Sequence, residues 1–172
     1  MLELGRAGTA GAERGEVPVL RDGEPVGRLR STDFWKEGSA AVVGDRQWVL
    51  ERRKGGALVG RWATEPEDAA RLRAEQVSVW RGTWRADLEG AVVDVAPASW
   101  WQGTYRFTAG ERTVAESGTT GGWSPRPTLT AGEDLPLDAQ VFLLWLVLVL
   151  QRRTYGAAIG AAVAGGAVAG SS

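Results

Sequence analysis

The chain has 172 residues, 20 basic against 21 acidic side chains, nine tryptophans, and neither histidine nor cysteine. That length suits one domain with a single large core, and a formal net charge of −1 provides no global field for nucleic acid. The missing residue types exclude a disulfide framework, a thiolate or imidazole metal site and His- or Cys-dependent catalysis, so neither a cofactor nor a metal is expected.

Met1 to Gly15 lacks an apolar stretch behind a basic start, so a secretory leader is not indicated and a cytoplasmic location is expected. Residues 1–16 are predicted to be a flexible N-terminus. From Val17 the chain reads as short strands. Val17 to Leu20 and Val26 to Arg30 flank an Asp22-Gly23 turn signal. Trp48 and Leu50, then Leu58 and Trp62, keep a period of two on either side of Lys54-Gly55-Gly56, as a hairpin with one apolar face requires. Thr64-Glu65-Pro66-Glu67 has the spacing of a capping box with proline in the first turn, which predicts a short helix.

An internal echo follows. Trp80-Arg81-Gly82-Thr83-Trp84-Arg85 and Trp101-Gln102-Gly103-Thr104-Tyr105-Arg106 share Trp-x-Gly-Thr-aromatic-Arg, as two equivalent hairpins would. Gly118 to Pro127 is dense in Gly and Pro and is expected to be a loop without a phosphate-binding signature.

The C-terminal region is the most distinctive. Asp138 can cap a helix through Val141-Phe142-Leu143-Leu144-Trp145-Leu146-Val147-Leu148-Val149-Leu150, closed by Arg152 and Arg153. A helix apolar on every side lies either at the centre of a protein or in a membrane. Leu137 to Gln151 would reach roughly 22 Å, short of the roughly 30 Å hydrocarbon layer. Extension through Tyr155 to Gly170 would set two arginines near mid-membrane at about 2.5–3.5 kcal/mol each. Burial inside the domain is therefore favoured, with the Ala/Gly-rich residues 154–172 as a low-complexity tail.

Acid–base chemistry would fall to carboxylates, but Asp87 with Glu89 and Glu133 with Asp134 sit beside turn residues, where solvated charges are the simpler account. Trp48, Trp62, Trp80, Trp84 and Trp145 are expected in the core. Trp100 and Trp101 are neighbours and cannot both enter one core from a strand. One of these, or Trp123 in its Gly/Pro loop, is a candidate exposed anchor, and Arg52-Arg53-Lys54 at a hairpin tip is placed either to meet phosphate groups or simply to be solvated.

Hairpins of short strands, one interrupting helix, a polar loop, and Leu135-Pro136-Leu137-Asp138 leading into an all-apolar helix together resemble the tubby C-terminal-like superfamily, which includes LURP-one-related proteins and phospholipid scramblases. The resemblance implies a closed antiparallel barrel of about twelve strands threaded by the hydrophobic helix, here over residues 17–153. It also implies association with phospholipid or phosphoinositide headgroups, although no motif transfers a site residue by residue and the scramblases' cysteine-rich segment and acidic calcium motif are missing.

The expected function is a noncatalytic binding or scaffolding domain for an anionic lipid surface or a protein partner, with Arg52, Arg53, Lys54, Trp100, Trp101 and Trp123 as candidate ligand contacts. One alternative is a membrane-anchored protein inserted through Val141 to Gly170. Another is an enzyme with a carboxylate site assembled by the fold.

Overall fold

The computed structural model describes residues 1–33, 37–99, 101–122 and 125–166. Its strands are β1 (Leu2–Leu4), β2 (Glu16–Arg21), β3 (Glu24–Asp33), β4 (Gly38–Val43), β5 (Arg46–Arg52) and β6 (Leu58–Trp62). They continue with β7 (Leu72–Ser78), β8 (Thr83–Leu88), β9 (Ala91–Ser99), β10 (Thr104–Ala109), β11 (Arg112–Thr120) and β12 (Arg126–Ala131), and a single helix, α1 (Leu137–Gly166), ends the order. Each strand pairs antiparallel with its neighbours in sequence, and β1 pairs with both β2 and β12. The result is a closed twelve-stranded barrel with no free edge.

Period-two patterning builds the wall. Along β8, Trp84, Ala86 and Leu88 point inward and Arg85 and Asp87 outward. The inner wall alternates large and small residues, with Gly60, Ala41, Ala74, Ala86 and Ala115 among the small ones. At Gly60 an added Cβ would stand 3.1 Å from Leu50 Cδ2 and 3.4 Å from Phe142 Cδ2. The wall is thus contoured to the helix it encloses.

That helix fills the lumen. No side chain from Val141 to Val147 exceeds 1 % exposure, and Phe142 and Trp145 pack with ring centroids 5.7 Å apart. Buried glutamines tie α1 to both ends of the barrel: Gln140 Oε1 accepts from Arg21 Nη2 of β2 at 3.3 Å while its Nε2 donates to the Leu135 carbonyl at 2.6 Å, and Gln151 Nε2 donates to the Gly103 carbonyl at 3.0 Å. Asp138 lies within the first turn, accepting from Arg46 Nη1 at 2.6 Å. The first part of the stretch that the membrane-anchored alternative would insert, Val141 to Leu150, is the barrel's own core, and among the described residues no helix is long and apolar enough to cross a membrane.

Four expectations change. The N-terminus is not a flexible appendage: Leu2 is fully buried and β1 closes the barrel. The capping-box helix does not form. The Glu65 carboxylate accepts from the Trp62 amide at 2.9 Å and from Arg71 at 2.7 Å, while Arg53 donates to the carbonyls of Glu67, Asp68 and Ala69. Partners outside the segment thus replace helical ones, and residues 63–71 lie as turns pinned to the outer wall, where Val59 is fully buried. The expected loop from Gly118 to Pro127 is ladder at both its ends, because Thr119 pairs with Pro127 and Thr120 with Arg126. Pro127 sits near the start of β12, beyond the last β1 partner at Thr128, where a strand proline is tolerated. Finally, α1 continues past residue 153 to Gly166, into the expected low-complexity tail.

Arg53 therefore acts as a clamp. Arg53→Ala is expected to release residues 63–71, costing about 1.5–3 kcal/mol for hydrogen bonds from a charged donor. Glutamate-specific protease should then cut after Glu67 much faster than in the parent chain, which limited proteolysis with mass spectrometry would show.

Candidate functional site

In an up-and-down barrel, connections from odd to even strands gather at one end and the remainder at the other. The helix follows β12 and so enters at the second end. It leaves at the first, where Arg153 grips Glu37 through Nε and Nη2 at 2.6 and 2.5 Å. We call this first end the exit rim.

The internal echo builds this rim. In β7–β8 the register slips between Gln76 and Ser78, leaving Val77 as a bulge. In β9–β10 Thr104 pairs with Ser99 and Tyr105 with Pro97, leaving Ala98 as the matching bulge. Gly82 and Gly103 hold φ of 61° and 60°, a left-handed conformation that a side chain disfavours. Thr83 and Thr104 each open the return strand, Trp84 and Tyr105 turn inward, and Arg85 and Arg106 pair across the sheet with Asp94 and Glu116 at 2.9 and 2.8 Å. Bulges re-aim the residues that follow them. Here each device ends in the same display: Trp80 and Trp101 are each 96 % exposed. Adjacent strands lie about 4.8 Å apart, which puts the two hairpin tips about 10 Å from each other.

Trp80 was expected in the core; β7 ends at Ser78, just past the bulge at Val77, and Trp80 lies on the turn that follows, in solvent beside exposed Val77 and Val79. Trp48, Trp84 and Trp145 are buried as expected, and Trp62 is half-buried against Trp48. Trp101 is exposed, whereas Trp100 and Trp123 lie outside the described residues.

Of the basic tip, Lys54 is exposed and Arg52 is 49 % exposed, its Nε 3.9 Å from Glu37. Arg53 is committed to the wall clamp. Arg52 and Arg153 share the single carboxylate of Glu37, and with Gly55, Gly56, Glu75 and Gln76 they line a polar cleft of about 400 Å³ between the β5–β6 and β7–β8 hairpins. Arg81 is exposed on the Trp80 turn, its amide donating to Ser78 Oγ at 3.2 Å. The exit rim thus combines projecting apolar tips with exposed cations.

Three of the four paired carboxylates have structural partners. Asp87 Oδ1 accepts from the Gly90 amide at 2.7 Å, Glu89 pairs with Arg71 at 2.9 Å and Asp134 with Arg112 at 3.1 Å. Arg71 also stacks 3.4 Å from the Trp62 ring centroid, and its two carboxylate partners, Glu89 foremost, raise its pKa further. Burial pushes the Tyr105 phenol up, while a hydrogen bond with Thr154 acts the other way. Among the described residues no three acidic side chains gather as a metal site would need.

Fold and rim together define a helix-threaded antiparallel barrel with one aromatic, basic end. Compared with protein-family models, curated proteins and solved structures, the chain matches none.

Proposed function

We propose that this protein is a noncatalytic module that docks on an anionic membrane surface through the exit rim. The observation that carries the reading is the repeated bulge-and-glycine device that holds Trp80 and Trp101 in full exposure. Exposing two tryptophans is unfavourable in water, and building the same display twice points to a surface that receives them. Indole rings favour the headgroup layer, where an apolar body and a polar N–H are both accommodated. The tips are exposed and the neighbouring cleft is polar, which suits a soft interface better than the desolvated pockets that protein hot spots fill. The resemblance to tubby-like barrels agrees with a lipid surface.

Arg52, Lys54 and Arg81 add roughly 1 kcal/mol each near an anionic leaflet, about a hundredfold in affinity together, and this share is screened by salt. In co-sedimentation the chain should therefore bind phosphatidylserine-containing vesicles, bind neutral ones far more weakly, and be released as salt rises. Binding to neither vesicle, with capture by a protein instead, would replace the lipid reading with a protein partner.

A further inference from the structure

The end of the barrel where α1 begins carries the opposite chemistry. Its turns hold Asp22 between β2 and β3, Asp45 between β4 and β5, Glu89 between β8 and β9, Glu111 between β10 and β11, and Glu133 with Asp134 ahead of the helix. Asp22 is met by the Met1 ammonium, Glu89 by Arg71 and Asp134 by Arg112, and two more arginines at this end, Arg21 and Arg46, are engaged by Gln140 and Asp138. Asp45, Glu111 and Glu133 have no described cation within 4 Å, so acids outnumber cations here. The positive end of the helix macrodipole explains acids close to Leu137. It does not explain Asp22, Glu89 and Glu111, each on its own hairpin turn.

Resting on the docking reading above, we propose that this acidic end makes membrane binding one-sided: it repels the leaflet that the opposite rim attracts, so the barrel lands only with the tryptophans down. The separation permits it. The helix crosses the lumen from Leu137 at one end to Arg153 at the other, roughly 24 Å at about 1.5 Å per residue, more than twice the roughly 8 Å screening length at physiological ionic strength. Each end therefore meets a membrane on its own terms. A protein attracted at both ends would bridge two bilayers, whereas one attracted at a single end coats the membrane it finds.

The test combines Asp45→Lys, Glu111→Lys, Glu133→Lys and Asp134→Lys, four exposed positions without left-handed backbone, with circular dichroism as the folding control. Dynamic light scattering of phosphatidylserine-containing vesicles should show wild-type protein bound without a change in vesicle size. The reversed variant should cluster the vesicles several-fold in apparent diameter, and high salt should disperse them. A neutral set, Asp45→Asn, Glu111→Gln, Glu133→Gln and Asp134→Asn, should cluster to an intermediate degree and stands in if the reversed chain does not fold. A folded variant that binds as wild type without clustering overturns the proposal and leaves rim docking intact, as does wild-type protein that clusters vesicles itself. Wild-type protein that binds no vesicle overturns the docking reading and this proposal with it.

Discussion

Trp145→Ala is expected to lower the unfolding free energy by about 3–5 kcal/mol, the range for removing a buried tryptophan side chain. Trp145 is 1 % exposed at the centre of the barrel and packs against Phe142, whose ring in turn fills the space left by the absent Cβ of Gly60. The cavity would open where a closed wall and a helix anchored at both ends by Gln140 and Gln151 leave little room to collapse. Denaturant unfolding followed by circular dichroism would measure the loss. A change under 1 kcal/mol would mean that the helix does not occupy the lumen. For a domain of this size, which is stable by only about 5–15 kcal/mol, the predicted loss removes a large fraction of the total.

The opposite behaviour is expected at the rim. Trp80→Ala with Trp101→Ala should leave stability within about 0.5 kcal/mol per site, because both side chains are 96 % exposed. The same pair should weaken binding to anionic vesicles by roughly 50-fold. That figure takes about half of the 1.5–3 kcal/mol for full burial of a large apolar side chain at each tip, since a ring in the headgroup layer is only partly withdrawn from water. The salt dependence should survive, because Arg52, Lys54 and Arg81 remain. Vesicle titration of the double variant beside the parent separates the two contributions: equal affinities would assign the tryptophans no part in docking.

The hairpins and the central helix are legible in the sequence because their signals are local. Asp22-Gly23 and Lys54-Gly55-Gly56 fix turns, Trp48 and Leu50 keep a period of two, and a helix with no polar face has few places to go. What is not legible depends on contacts distant in sequence. The capping-box reading of Thr64 to Glu67 fails because Arg53, brought alongside by the β5–β6 hairpin, takes the carbonyls a helix would have used. Strand β1 is only three residues long and becomes visible when β2 and β12 flank it. Trp80 is misplaced by periodicity since the strand bulges at Val77 and ends at Ser78, leaving the ring on a turn that alternation does not govern. The echo around Trp80 and Trp101 did carry the signal: Ser78 and Ser99 extend it by two residues to Ser-x-Trp-x-Gly-Thr-aromatic-Arg, and the paired bulges lie next to those serines. The charge polarity of the barrel is spread over connections that alternate along the chain and gather into two ends only after the sheet closes.

On the proposed docking, the exit rim and not the opposite end meets the membrane. Since the chain has no cysteine, Gln102→Cys and Glu111→Cys each give one unique position for an environment-sensitive fluorophore, the first on the Trp101 turn and the second on the opposite rim. On addition of phosphatidylserine-containing vesicles, the label at residue 102 should brighten and shift to the blue while the label at residue 111 stays in water. An unchanged label at 102, or a larger response at 111, would contradict the account.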